Sequence, residues 1–390
     1  MSNSENKISK RNFLKYGLYG TCGMLAGLGN IDIIAGEISK ISSKLPDISK
    51  DKLWKWSKEA HFYISTPRGI KCRLCPQACV LEEGETGDCK TRVVFENKLY
   101  TIVYGNPCAI HVDPIEKKPL FHFLPESRSF SVATAGCNLA CLNCQNWQIS
   151  QSSPKDTSNY DLMPEKLVKE AISRNCKSIA YTYSEPIVFY EYMYDSAKIA
   201  HKNNLKNVFV SAGYIEEKPM RKLAKVIDAA NIDLKSFSND TYEMLNAGTL
   251  QPVLNTLKIL KEENVWLEIT NLIIPNWTDD FDMIKKMCNW LFDNGFADCP
   301  LHFSRFTPMY KLTQLPYTST TALNKARQIA IDAGIKFVYI GNVVGSKAEN
   351  TYCPNCGKLL IERKGFKINS NFIKNNKCSF CDEKIPGMWE

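Results

Sequence analysis

Long hydrophobic runs are missing from this 390-residue chain. No stretch reaches the ~18 consecutive apolar residues that a spanning helix needs, which excludes a polytopic membrane protein. No G-x-G-x-x-G follows a strand-like segment and there is no P-loop, so nucleotide-phosphate chemistry has no motif behind it. No serine or cysteine triad stands out. The net charge is +8, from 49 Lys+Arg against 41 Asp+Glu. The excess is lysine spread along the chain. A nucleic-acid groove needs basic residues clustered with exposed aromatics, and no such stripe is present, so no nucleic-acid partner is expected. Repeats and long low-complexity tracts are also missing. Apolar residues are not scarce: 44% hydrophobic against 23% charged excludes a disordered chain. The length predicts two to three domains.

What the chain has in excess is cysteine. There are 16, too many for core packing in a chain too long to be a small disulfide scaffold. Eleven of them fall into three tight clusters with metal-ligand spacing. Cys22, Cys108, Cys176, Cys288 and Cys299 are left over and read as buried small hydrophobes. Thiolates that await metal argue for folding in a reducing compartment. The N-terminus pulls the other way. Ser9-Lys10-Arg11-Asn12-Phe13-Leu14-Lys15 looks like a twin-arginine export signal with Lys for the first Arg, and a glycine-rich, mildly apolar run follows from Tyr16 to Gly29.

The chain divides into four textures. Residues 1–50 read as a leader and linker, and residues 51–128 as a small Cys-rich module stapled by metal. From 129 to 345, short β-branched runs alternate with helical patterns. Strands are expected at Phe130–Thr134, Ser178–Tyr183, Asn207–Val210, Asn231–Leu234, Val265–Leu272, Leu301–Phe306 and Phe337–Ile340. Helices are expected at Pro164–Arg174, Val188–Lys202, Lys218–Asp228, Val253–Glu263, Phe281–Asn294 and Thr321–Asp332. That alternation predicts an α/β fold, a parallel sheet or partial (β/α) barrel, with its chemistry at the C-terminal ends of the strands. Residues 346–390 form a second Cys-rich module around a basic, Asn-rich, hairpin-like segment.

Directly after the first expected barrel strand stands Gly136-Cys137-Asn138-Leu139-Ala140-Cys141-Leu142-Asn143-Cys144, with spacing C-x3-C-x2-C. Three thiolates this close can grip one iron–sulfur cluster. Cys108 and Cys176, the nearest other cysteines, are too distant in sequence to supply a local fourth ligand. By analogy with metal sites, three protein ligands leave a coordination position open for chemistry. The competing reading is a closed site completed by a distant Cys or His.

This trio, at the end of the first strand of an α/β barrel, resembles the radical S-adenosylmethionine (SAM) superfamily. The resemblance implies that Cys137, Cys141 and Cys144 hold a 4Fe–4S cluster whose fourth iron is chelated by the amino and carboxylate groups of SAM. It also implies that the reduced cluster cleaves SAM to methionine and a 5′-deoxyadenosyl radical, which abstracts hydrogen from a substrate. Asp113–Phe123, Gly136–Cys144 with Gln145-Asn146-Trp147, Asp233–Phe237 and Tyr339-Ile340-Gly341-Asn342 resemble segments of the AmmeMemoRadiSam radical SAM enzymes. Those enzymes look like relatives of pyruvate formate-lyase activating enzymes. The resemblance covers about residues 60–390.

By the same resemblance Glu185, in Tyr183-Ser184-Glu185-Pro186, faces the SAM amino group as a charge-assisted pair. The glycines that usually precede such a Glu are missing here, and a helix N-terminal Glu is the alternative. Asp233 and Lys235 match an Asp-Leu-Lys that holds a cation and the SAM carboxylate, with Lys235 as a catalytic residue beside the three cysteines. An internal ion pair is the alternative. Ser211 and Gly213 are expected to line SAM, and Gly341 and Asn342 to approach adenine. His302 and Arg305 are candidates for touching substrate or for satisfied interior polar residues.

Cys353-x2-Cys356-x21-Cys378-x2-Cys381 is a zinc-ribbon-like or rubredoxin-like set, expected to hold structural Zn, with Fe the alternative. Cys72-x2-Cys75-x3-Cys79-x9-Cys89 fits no single zinc class, and an auxiliary 4Fe–4S cluster and a structural zinc stand level. His61, His111 and His122 are available substitutes. The partners implied are SAM, a low-potential electron donor of the ferredoxin or flavodoxin kind, and Memo-like and AMME-region-like proteins. SAM and the electron donor favour the cytoplasm over export or membrane association through the leader. The rival function is a metal-stapled scaffold with an inactive barrel, and a third reading is an electron-transfer protein.

Overall fold

A computed structural model describes Lys40–Ile41 and residues 53–390. The twin-arginine-like segment and Cys22 lie outside the described residues. No helix among the described residues is long and apolar enough to cross a membrane.

The centre is one eight-stranded sheet. Its strands are β1 (Ala109–Pro114), β2 (Arg128–Ala133), β3 (Ser178–Tyr181), β4 (Lys206–Ser211), β5 (Ala229–Asp233), β6 (Trp266–Ile273), β7 (Leu301–Arg305) and β8 (Val338–Gly341). They lie side by side in chain order. The pairings from β2 through β8 are all parallel, and only β1 runs antiparallel, against β2. β1 and β8 do not pair, so the barrel is partial. Strands such as β3 are buried on both faces, as expected when helices cover a parallel sheet. The expected strands and helices all appear, with ends shifted by a few residues. The exception is β1, which lies in the segment grouped by sequence with the N-terminal module.

The covering helices are α1 (Pro164–Ser173), α2 (Tyr190–Lys202), α3 (Glu217–Ala224), α4 (Leu250–Glu262), α5 (Phe281–Asp293) and α6 (Thr320–Asp332). Their starts follow local chemistry. Pro164 opens α1, where a missing N–H is harmless. Asp280 accepts from Asp282 N and Met283 N at the start of α5, and Ser319 accepts from Ala322 N at the start of α6. Along α4, Val253, Leu254, Leu257 and Leu260 are buried, the i, i+3, i+4 stripe of a one-sided helix.

Two small antiparallel sheets build the N-terminal module, one of Tyr63–Thr66, Gly69–Cys72 and Val80–Leu81, the other of Lys58–Glu59, Arg92–Phe95 and Lys98–Thr101. The C-terminal module pairs Thr351–Tyr352 with the hairpin β9 (Leu359–Lys364) and β10 (Lys367–Asn371).

The C-terminal module packs where the parallel strands begin. Leu360, Ile361, Ile368 and Ile385 share a core with Phe337 and Tyr339 at the start of β8 and with Phe121. Arg363 Nη2 donates to Phe121 O, and Met388 N donates to His122 O. Beneath this contact lies a buried carboxylate. Glu268, near the start of β6, accepts from Phe121 N, His122 N and His302 Nε2.

Candidate active site

The site is assembled at the opposite end, where the parallel strands finish. β2 ends at Ala133 and the chain turns through Gly136 into the cysteine loop. Gly136 has φ +99, and a Cβ there would lie 2.4 Å from Cys89 O and 2.5 Å from Thr91 Cγ2. Only glycine fits both the backbone and the gap. The loop is held from the far side by a π-helical turn, Tyr242–Asn246. Ala140 N donates to Asn246 O and Leu142 N to Leu245 O. Asn246 Nδ2 reaches Cys141 Sγ at 3.2 Å, and Leu139 N reaches Cys137 Sγ at 3.4 Å.

Glu185 follows β3. It is buried, and its carboxylate accepts from Ser211 Oγ at 2.6 Å, Ala212 N at 2.9 Å and Ile187 N at 3.2 Å. Ser211 Oγ in turn accepts from Gly213 N. Glu185, Ser211 and Gly213 therefore form one cluster at the ends of β3 and β4. Glu185 is also the N-cap of the short 3-10 turn Pro186–Phe189, so its helix-terminal role is real as well. Burial raises its pKa, while Ser211, the Ala212 and Ile187 amides and the Lys235 charge pull the other way.

Lys235, just beyond β5, pairs with Asp233 at 2.9 Å, and its backbone N–H donates to Tyr242 OH at 3.0 Å. Burial works against its charge, but the Asp233 carboxylate and the Cys141 sulfur beside it hold the ammonium above the ordinary lysine value. Burial pushes the Cys137 thiol far up, helped by the nearby Glu185, Cys141 and Cys144 charges. Cys144 is raised by burial and by Cys141, and Lys235 eases it. The three cysteines, Glu185 and Lys235 thus share one electrostatic neighbourhood. Gly341 and Asn342 end β8, at the far edge of the sheet from the loop. Asn342 is exposed at φ +62, with Nδ2 3.5 Å from Arg305 O.

The donor set fits an iron–sulfur cluster. Three thiols stand with an ammonium to balance anionic charge, and amides from Leu139 and Asn246 point at two of the sulfurs. Two neighbours escaped the sequence reading as site residues. Asn246 is 105 residues from Cys141, and no local signal marks it. Asp113 at the end of β1 accepts from Lys117, Lys118 and Tyr183 OH, with Lys118 buried. Tyr183 O accepts from Asn146 Nδ2, just past the cysteine loop.

The histidines sort differently. His302 is buried at the opposite end of the strands and bonded to Glu268 at 2.6 Å, so it is a satisfied interior residue, not one that touches substrate. Both ring nitrogens of His122 are engaged, with Pro386 O and Tyr339 OH, so it does not substitute for a cysteine. His111 packs edge-on against Tyr183. Arg305 Nε donates to Thr318 O.

Both four-cysteine sets are assembled. Cys353, Cys356, Cys378 and Cys381 have sulfurs within 4.8 Å of one another. Cys72, Cys75, Cys79 and Cys89 line one cavity. All cysteines among the described residues are free thiols.

Comparison with known proteins adds the following. Residues 131–291 match the radical SAM superfamily. The uncharacterized protein MJ0808 of Methanocaldococcus jannaschii is 46% identical over 331 residues, 84% of this chain and 98% of that protein. The pyruvate formate-lyase 1-activating enzyme of Escherichia coli K12 is 23% identical over 166 residues, 41% of this chain and 67% of the enzyme. A crystal structure of Streptococcus suis SuiB bound to S-adenosylmethionine has a TM-score of 0.44 and 12% identity, covering 62% of this chain and 56% of that one.

Proposed function

Because residues 131–291 match the radical SAM superfamily, we propose that the chain is a radical SAM enzyme in which Cys137, Cys141 and Cys144 hold a 4Fe–4S cluster. The observation that carries this is the Cys137–Cys144 loop at the C-terminal end of β2, held by the Tyr242–Asn246 turn, with the charges of Glu185 and Lys235 in its neighbourhood. When bound, the cluster supplies the electron that splits SAM and yields the hydrogen-abstracting 5′-deoxyadenosyl radical. The chain's own residues bind and orient. Glu185, fixed by Ser211 and Ala212, offers a carboxylate to the SAM ammonium. Lys235 offers a cation to the SAM carboxylate, with Asp233 holding it in place. Gly213 stiffens the Ser211 corner, and Gly341 with Asn342 supplies backbone and amide to the adenine.

The substrate is a protein, as for an activating enzyme, or a small molecule. The finer assignment to the AmmeMemoRadiSam enzymes rests on the motifs Asp113–Phe123, Asp233–Phe237 and Tyr339–Asn342. It brings Memo-like and AMME-region-like proteins as partners, a ferredoxin- or flavodoxin-like electron donor, and a cytoplasmic location. The test is 5′-deoxyadenosine formation by the anaerobically reconstituted, reduced protein with SAM, read by mass spectrometry. Wild type should form it and Cys137→Ala should not. Equal product from both, or none from wild type with loaded clusters, would sink the proposal in favour of a metal-stapled scaffold.

A further inference from the structure

The two four-cysteine sets differ in a way that bears on what each binds. Four sulfurs ~2.3 Å from one tetrahedral ion stand ~3.8 Å from one another. The C-terminal sulfurs meet that, with Cys353 to Cys381 at 3.6 Å and Cys356 to Cys378 at 3.8 Å. Among the described residues, the N-terminal sulfurs do not draw together in this way. They line one small cavity of about 20 Å³ instead. Four sulfurs spread around a void suit a cluster, in which each cysteine takes its own iron.

Two further features of the wall point to an anionic, redox-type occupant. Arg92, only 2% exposed, lines the cavity. Its Nη2 pairs with Glu191 at 2.6 Å and its Nη1 donates to His61 O, while its buried Nε finds no partner among the described residues. A guanidinium with a spare donor beside four thiolates complements a negative cluster. Asn138 lines the same cavity and is bonded directly to Cys137 in the chain. The Cys89 carbonyl lies against Gly136 on the other side.

We infer that Cys72, Cys75, Cys79 and Cys89 hold a second iron–sulfur cluster, walled by Arg92 and one residue removed from Cys137. The inference rests on the cavity and its four sulfurs, and it stands whether or not the Cys137 loop carries a cluster.

The test counts iron and acid-labile sulfide in the full chain, reconstituted anaerobically with ferrous iron and sulfide. The variant Cys137→Ala/Cys141→Ala/Cys144→Ala should keep about four sulfides per chain, and adding Cys75→Ala/Cys89→Ala should remove them. A loop variant free of sulfide, or sulfide that persists after Cys75 and Cys89 are replaced, overturns the inference. Should the multiple variants not fold, Cys75→Ser/Cys89→Ser in the otherwise natural chain serves. It should lose about four sulfides relative to wild type, and no loss overturns the inference. Failure of the radical SAM proposal has a separate mark: the loop variant would then match wild type in sulfide.

Discussion

The two four-cysteine modules occupy opposite ends of the same sheet. The C-terminal one docks on Phe121, Phe337 and Tyr339, where the parallel strands begin. The N-terminal one meets Asn138, Ile187 and Val188, just past the ends of β2 and β3. Chemistry in parallel α/β folds lies at the strand C-termini, and conservation of form at the other end serves stability. The same four-thiol inventory therefore has two physical meanings, set by location and by how closely the sulfurs approach. The sulfurs of the C-terminal set close on each other around a point, and those of the N-terminal set close around a volume.

The largest expected contrast comes from Cys378→Ser. A structural ion in an isolated finger contributes about 10–16 kcal/mol to folding. Loss of the C-terminal ion should release amide protection through β9 and β10 by hydrogen exchange, while the protection of β2 through β5 and 5′-deoxyadenosine formation persist. Loss of activity in step with loss of the metal would break the division between the two ends.

Next is Arg92→Leu, which strands the fully buried Glu191. Removing one partner of a buried pair costs about 3–5 kcal/mol. The urea midpoint should fall accordingly, and iron should leave the N-terminal set with the C-terminal metal retained.

The docking of the C-terminal module should be acid-sensitive through His122. Burial pulls its pKa down to about 4. Its folded form is the neutral ring, with Nδ1–H donating to Pro386 O and Nε2 accepting from Tyr339 OH. The unfolded state binds the proton more readily, so this stability is fully present above about pH 6.5 and is lost as pH falls toward 4. The maximum effect is about 3 kcal/mol at 1.36 kcal/mol per pKa unit. Urea unfolding at a series of pH values should show that slope in wild type and a shallower one in His122→Gln.

The smallest contrast compares one substitution at two glycines. Gly357 has φ +70 with nothing within 4 Å of a built Cβ, so Gly357→Ala should cost only about 1–2 kcal/mol of left-handed backbone strain. Gly136→Ala adds overlap with the Cys89 carbonyl, a further cost of about 1–3 kcal/mol. Thermal melts of the two variants give the difference. Equal melting points would mean that the Cys89–Gly136 contact is slack.

Local pattern made much of this molecule legible. β-branched runs and one-sided helices marked β2 through β8 and α1 through α6, because burial on a parallel sheet imposes those periods directly on the sequence. The cysteine spacings marked the C-terminal four-sulfur group and the four N-terminal cysteines that line one cavity, since ligands to one site recur at short intervals. β1 escaped, because an antiparallel edge strand carries only a weak pattern and β1 adjoins the 3-10 turn at Ile115–Lys117. Asn246 and Arg92 escaped because each acts across about 100 residues.

By itself the sequence determined the alternation that folds into the sheet and the thiols available to each site. The tertiary structure decided which end of the sheet each four-cysteine set occupies and whether its sulfurs surround a point or a cavity. It also turned His302 and His122 inward, against Glu268, Tyr339 and Pro386. Spacing along a chain limits which residues can meet, but distance, burial and charge balance arise only when distant segments pack together.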